Sequence, residues 1–229
     1  MKEQERPFAV GLRAARANLI PALVIQSAVV TVVLAYYLWE PARAWLTRLA
    51  EFKREGGYLF SLVSGVVAGG LLPELLTVAV FQRWRVRREN LSSLMFGACF
   101  WGLMALVVDL FYRVQALVFG SGVDLATVLK KAFVDQFVFT PLITIPLTVV
   151  VFEWRHAGYR LSAVSRSLGA GFYQRKVLPS VVSGIGFWLP VVLLVYCLPL
   201  PLQFPLFTLA LTLWVMIFTW ISHAHRTAP

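Results

Sequence analysis

The chain has 229 residues, of which 59% are hydrophobic and 14% are charged, and its mean hydropathy is +0.74. A soluble domain carries about 25% charged residues, so this composition excludes an ordinary soluble fold. The net charge of +10 comes from basic residues gathered between apolar runs, which favours topology signals and contacts with anionic lipids over a nucleic-acid partner. We expect one all-α integral membrane domain over residues 1–229, a polytopic bundle of about six transmembrane helices embedded in the lipid bilayer.

The first apolar run, residues 18–39, is longer than the apolar region of a signal peptide. It predicts a retained membrane helix, span one, that ends in aromatic residues suited to the membrane interface. Charged and apolar residues alternate at helical spacing over residues 40–55, which predicts either a helix on the membrane surface or a solvated connecting helix. Residues 1–57 would then form an N-terminal unit of one span and one surface helix.

Span two is predicted over residues 58–81. Small residues recur at every fourth position, at Ser61, Gly65 and Gly69, so they share one helical face and predict close packing against a neighbouring helix. Pro73 interrupts the apolar run, and Glu74 beside it needs either a cavity that contains water or a buried partner. The loop at residues 82–89 carries four arginines and predicts the cytoplasmic or equivalent side.

Spans three and four are predicted over residues 91–119 and 126–152, with Asp124 as the N-cap of the second. Both contain ionisable residues, which inside a membrane indicate a functional site. If the two spans are antiparallel neighbours, Asp109 and Asp135 lie at similar depths of about 14 Å from the intervening turn. We therefore predict one polar cluster formed by Asp109, Tyr112, Arg113, Lys131, Asp135 and Gln136, with Glu74 as a further candidate.

Two interpretations of this cluster remain open. It fits a polar constriction that screens solutes or ions in a pore. It fits equally a buried ion-pair network that fixes the register of the helices.

The final apolar region, residues 177–221, is interrupted by Pro190, Pro199, Pro201 and Pro205. Proline disrupts helices, so we expect spans five and six to be joined by a tight connection at residues 198–205. If span five were a shallow re-entrant segment, the count would fall to five. A second basic loop, at residues 153–176, and the N-terminus would lie on the same side as the first.

The sequence contains none of the catalytic motifs of hydrolases, metalloproteases or nucleotide-binding enzymes. The three histidines lie in a loop or the tail, and the two cysteines lie in separate apolar spans. We therefore expect neither an enzyme nor a metal site or cofactor.

A motif in span four resembles the core motif of the Mpv/PMP family of peroxisomal and mitochondrial inner-membrane proteins. It reads LysLys-x3-AspGln-x2-Phe-x-Pro and is carried by Lys130, Lys131, Asp135, Gln136, Phe139 and Pro141. Weaker likeness is found in the triplet at residues 111–113, in the spacing of Pro190 and Pro201, and in the tail at residues 220–226. The resemblance covers about residues 58–229, so span one is additional to the four-span core of the family.

The chain departs from the family pattern at several polar positions. Residues 71–76 replace a Gly-Asp-x3-Gln pattern, and Asp109 stands where a histidine is common. Leu193 and Tyr196 replace a glutamine and an asparagine. These changes affect the positions that would line a pore.

Membership in this family would imply a channel-like protein, weakly selective for small solutes or ions. It would also imply a bacterial inner membrane for a remote member, or the mitochondrial inner or peroxisomal membrane for a eukaryotic one. The alternative function is a non-transporting membrane scaffold or interaction protein. Homo-oligomer formation is left open by the sequence.

Overall fold

A computed structural model describes residues 7–169 and 171–227 of the chain. Within these residues, six helices are long and apolar enough to cross a membrane, as predicted. Span five is a helix of 24 residues, a length that fits a full crossing better than a shallow re-entrant segment. The spans are Leu19–Leu38, Glu40–Phe81, Arg88–Phe119, Leu125–His156, Tyr173–Tyr196 and Leu200–Thr227.

The outer surface of the bundle is apolar, and apolar side chains also fill much of its interior. Leu103, Leu117 and Leu142 are 62%, 86% and 64% exposed, whereas Val191 and Val195 of span five are fully buried. An apolar surface of this extent is suited to lipid contact and not to water. The chain is therefore an all-α, membrane-embedded protein.

A short N-terminal helix, Pro7–Ala17, precedes span one and was not predicted. It packs on span five at Gly11. A Cβ atom at this position would lie 2.8 Å from the carbonyl oxygen of Pro179 and 2.7 Å from Cβ of Val182, so only glycine permits the approach. A second short helix, Leu161–Ser167, lies in the loop between spans four and five.

Span two begins much earlier than predicted, and it bends at Gly57. The backbone of Gly57 has φ +51° and ψ −128°, a conformation that glycine adopts at little cost. Residues before the bend contribute to the interior, since Lys53 is only 3% exposed. Placing residues 40–55 wholly on the membrane surface, or wholly in solvent, was therefore wrong.

Spans two and three pack closely through the small residues predicted from the sequence. A Cβ atom at Gly65 would overlap the carbonyl oxygen of Trp101, and one at Gly69 would overlap the side chain of Trp101. From the other side, a Cβ atom at Gly97 would lie 3.1 Å from the carbonyl oxygen of Gly69. The helices approach each other at van der Waals distance because these positions lack side chains.

Wider turns with π-type hydrogen bonding interrupt several spans. They cover Val66–Leu71, Thr77–Phe81, Asp135–Thr144 and Tyr173–Val177. The longest starts at Asp135 and contains Pro141. Since such turns redirect side chains and frequently occur at functional sites, this segment of span four is of particular interest.

Pro190 removes a backbone donor from span five, and span one supplies a replacement. A proline nitrogen cannot bond to the carbonyl group four residues earlier, at Gly186. The amide Nε2 of Gln26 donates to the carbonyl oxygens of Gly186, at 3.0 Å, and Phe187, at 3.1 Å. Span one therefore satisfies a backbone group that hydrocarbon could not.

Most connections between spans are short, and the longest, residues 157–172, lies between spans four and five. Asp124 caps span four as predicted, because its Oδ1 accepts a bond of 3.0 Å from the backbone N–H of Thr127. Hydrogen bonds from the side chain and backbone of Thr127 lower the pKa of Asp124. Spans five and six are joined over residues 197–199, and Pro205 lies inside span six. The predicted connection over residues 198–205 was therefore too long.

Candidate functional site

The polar residues of the predicted cluster separate into two groups in the interior of the bundle. One group surrounds Asp109 of span three and the other surrounds Asp135 of span four. Among the described residues, no hydrogen bond or ion pair joins the two. The prediction of a single cluster was wrong. Counting residues from the turn gives the depth of Asp109 and Asp135 along their helices, but it does not give the direction in which each side chain points.

The Asp109 group is an ion-pair network between spans two and three. Oδ2 of Asp109 lies 2.9 Å from Nζ of Lys53 and accepts a bond of 2.8 Å from the hydroxyl of Ser61. Arg113, one helical turn later, lies 3.4 Å from the same oxygen. The predicted Asp109–Arg113 pair is present, but the closer cation is Lys53, which the sequence analysis did not identify.

Lys53 has all the surroundings that a buried ammonium group requires. It donates to the carbonyl oxygen of Gly57 at 3.0 Å and to the hydroxyl of Ser61 at 2.9 Å. The aromatic rings of Phe60 and Phe204 lie 5.7 Å and 5.2 Å from its Nζ. Since both charges are neutralised and hydrogen-bonded, this group fits a structural role.

The Asp135 group contains no such cation. Its Oδ2 accepts a bond of 2.7 Å from the hydroxyl of Tyr196, and its Oδ1 accepts a bond of 2.9 Å from Nε2 of Gln136. The hydroxyl of Thr140 lies 3.4 Å from the same Oδ1. These donors are neutral, so the carboxyl group is hydrogen-bonded without being paired with a positive charge.

Tyr196 connects three spans through its hydroxyl. Nε2 of Gln115 in span three donates to it at 2.5 Å, and it donates in turn to Asp135 in span four. Tyr196 is fully buried and Gln115 is 2% exposed. Tyr196 thus supplies a hydrogen-bond partner of Asp135, and neither it nor Gln115 was predicted as a site residue.

A cavity of about 240 Å³ lies at the centre of the bundle beside Asp135. Spans three, four, five and six all contribute to its wall, which is mostly apolar and aromatic. Of the predicted residues, Tyr112, Asp135 and Gln136 line it. Its aromatic wall is formed by Trp101, Tyr112, Phe139, Trp188, Phe207 and Trp214.

Lys131 lies one helical turn before Asp135 but does not pair with it. Its side chain is fully buried, and its Nζ lies 5.9 Å from the ring centroid of Tyr196. Within the described part of the chain, this Nζ has no hydrogen-bond partner. Tyr196 therefore approaches Lys131 with its ring and Asp135 with its hydroxyl.

Glu74 lies apart from the cavity. Its Oε1 accepts a hydrogen bond from the side-chain amide of Asn90 at the start of span three. Of the two roles considered for Glu74, the satisfied acid describes its position better than the lining of the central cavity, to which it does not contribute.

Metal ligands do not gather in the residues that the structure describes, where no group of three or more His, Cys, Asp or Glu side chains could hold an ion. His156 lies at the end of span four. The side chains of His223 and His225 lie outside the described set.

Comparison with protein-family models, curated proteins and solved structures finds no match for this chain. The arrangement of residues around Asp135 is therefore the basis for any functional assignment.

Proposed function

We propose that this protein moves small solutes or ions across a membrane in a channel-like manner, with the central cavity on the path. The observation that carries the proposal is the position of Asp135 in the wall of that cavity, as a buried carboxyl group that has no cationic partner among the described residues. Ionisable groups are costly inside a membrane and are retained mainly where they face a partner or a solute path. Asp109, by contrast, is paired with Lys53.

The resemblance of the span-four motif to the Mpv/PMP family supports the same class of activity. Three of the motif residues, Asp135, Gln136 and Phe139, line the cavity. On this proposal the chain is a remote member of that family whose first span lies outside the region of resemblance, and a bacterial inner membrane is its location. The basic loops would contact anionic lipids on the cytoplasmic side.

The experiment is solute release from liposomes that contain the purified protein. Uncharged and charged solutes of graded size are trapped inside, and their release is compared with release from protein-free liposomes. Single-channel recordings measure conductance, again with protein-free membranes as the control. Release or conductance above those controls supports transport. Absence of both at high protein density, together with a stable oligomer or a bound partner protein, would favour a membrane scaffold instead.

Asp135→Asn is the informative variant in this assay because it changes the charge and keeps the shape. Glu51→Gln is the matched control, since Glu51 is an exposed acid outside the cavity. We expect Asp135→Asn to change the ratio of cation to anion flux and Glu51→Gln to leave it unchanged. If the unsubstituted protein, Asp135→Asn and Glu51→Gln all show the same ratio of cation to anion flux, Asp135 does not face the path.

A further inference from the structure

We propose that the central cavity binds a small organic ammonium ion that carries at least one N–H group, with Asp135 as its counter-ion. This inference rests on the proposed function and deepens it, because it names the class of solute that the cavity selects.

The first argument is the uncompensated carboxyl group. In the described part of the chain, the hydrogen bonds to Asp135 come from neutral donors, on Tyr196, Gln136 and Thr140. Across the described residues, no ion pair within 4.0 Å involves this carboxylate. A carboxylate in surroundings of low polarity gains most from a partner of opposite charge. A cationic ligand would supply that partner.

The second argument is the aromatic wall. Trp188 and Phe207 have ring centroids 5.6 Å apart, and Tyr112 meets Phe207 edge-on at 6.0 Å. Together with Trp101 and Trp214 they enclose the same space as Asp135. Aromatic faces attract cations within about 6 Å, more strongly once water is excluded.

The third argument is an unused hydrogen-bond acceptor beside the carboxyl group. Gln136 is 2% exposed, and its Oε1 has no partner among the described residues. Its orientation is fixed, because Nε2 of the same amide donates to Asp135. An acceptor left unsatisfied in a buried site is costly. Because Gln136 lines the cavity, a ligand with an N–H donor that displaces the atoms covering this oxygen would satisfy it, whereas a quaternary ammonium ion would not.

Size and ligand geometry favour an organic ion over a bare metal ion. An apolar cavity of about 150 Å³ holds a benzene molecule, so 240 Å³ accommodates a ring that carries an aminomethyl group. Hard metal cations need about six converging oxygen atoms. The hydroxyls of Thr144 and Thr148 instead donate to carbonyl oxygens of their own helix, at 3.3 Å and 2.6 Å.

The test compares benzylammonium with benzyl alcohol, which has nearly the same shape and no charge. Binding to the full chain in nanodiscs of zwitterionic lipid is measured by calorimetry at neutral pH, with empty nanodiscs as the blank. We expect benzylammonium to bind at least about tenfold more tightly, as a charged hydrogen bond implies. Equal affinities, or sodium binding as tightly as benzylammonium, would overturn the proposal.

Asp135→Asn should lower the affinity for benzylammonium to that for benzyl alcohol and leave benzyl alcohol binding unchanged. Retained benzyl alcohol binding also shows that the cavity is intact. Glu51→Gln, the matched change of an exposed acid, should alter neither. An undiminished preference for benzylammonium in Asp135→Asn would contradict the assignment.

Thr148→Phe provides a second route if Asp135→Asn fails to fold. Thr148 lines the cavity, so the added ring should occupy it and abolish the binding of both ligands. Benzylammonium binding that survives this change would place the site elsewhere. Benzyltrimethylammonium, which lacks N–H groups, should bind more weakly than benzylammonium, and tighter binding would contradict the role of Gln136.

These outcomes are separable from those of the proposed function. Solute release without a preference for benzylammonium would overturn the ligand assignment alone. Tight, Asp135-dependent binding without release would support the ligand assignment and overturn transport.

Discussion

The hydroxyl of Tyr196 donates a hydrogen bond of 2.7 Å to Oδ2 of Asp135, joining two residues that are 61 positions apart in the chain. The same hydroxyl accepts a bond from Gln115, so three spans meet at one oxygen atom. This contact fixes the carboxyl group at the edge of the cavity. It can be tested separately from any transport activity.

Tyr196→Phe should destabilise the protein by about 1–3 kcal/mol, because Gln115 and Asp135 each lose a buried hydrogen-bond partner. Thermal unfolding in detergent measures the change. Tyr36→Phe is the control, since the hydroxyl of Tyr36 makes no hydrogen bond within the described residues. Equal stability of the two variants would argue against the Gln115–Tyr196–Asp135 connection.

Lys53→Met should destabilise the protein by about 3–5 kcal/mol, because it leaves the charge of Asp109 buried with a weaker partner. The double variant Lys53→Met, Asp109→Leu should recover part of this loss, since the buried charge of Asp109 is removed as well and only Arg113, whose side chain is 41% exposed, then lacks its carboxylate partner. Glu40→Gln, in the exposed Glu40–Arg43 pair at 3.1 Å, should cost no more than about 1 kcal/mol. Additive losses in the double variant would contradict the buried ion pair.

Gln26→Leu should destabilise the helix bundle by about 0.5–2 kcal/mol, because both carbonyl oxygens lose the bond from Gln26 and Gly186 has no replacement donor at Pro190. The effect should largely disappear in a Pro190→Ala background, where the backbone N–H of residue 190 can bond to Gly186 again. Chemical denaturation of the four proteins measures this coupling. A loss of the same size in both backgrounds would show that Gln26 does not compensate for the proline.

Gly65→Ala should destabilise the contact between spans two and three by about 1–3 kcal/mol, because the added methyl group would overlap the carbonyl oxygen of Trp101. Gly186→Ala is a matched control in another span, since no atom lies within 4 Å of the added Cβ there. In thermal unfolding, the midpoint temperature of Gly65→Ala should be clearly lower than that of Gly186→Ala. A harmless Gly65→Ala would mean that the helices are further apart than the structure indicates.

The sequence was sufficient to predict features that depend on local patterns. Apolar runs of membrane length predicted six spans, and the four-residue spacing of Ser61, Gly65 and Gly69 predicted the packing face. The cap at Asp124 followed from a single side chain beside a helix start. Each of these depends on residues that are close together in the chain.

The pairing of buried polar groups could not be predicted in the same way. Lys53 was assigned to a surface or connecting helix, because nothing in the alternation of charged and apolar residues shows that the chain turns at Gly57. Asp109 and Asp135 were expected to meet, yet they contact spans two and five respectively. The wide turns that begin at Asp135 alter the helical phase, and regular spacing rules do not anticipate such changes.

The most direct test of the central claim is the reactivity of a cysteine placed in the cavity wall. Thr144→Cys, in a background with Cys99 and Cys197 replaced by alanine, places a thiol among the residues that line the cavity. Leu142→Cys is the control, because Leu142 is 64% exposed on the outer surface of the bundle. Thiosulfonate reagents of equal size and opposite charge are applied to the protein in liposomes.

We predict that the cationic reagent modifies Thr144→Cys faster than the anionic reagent does, that Asp135→Asn removes this preference, and that Leu142→Cys reacts with neither. This result would show a water-accessible cavity whose selectivity depends on Asp135. An unreactive Thr144→Cys, or one that reacts equally with both reagents while Asp135 is present, would contradict the account.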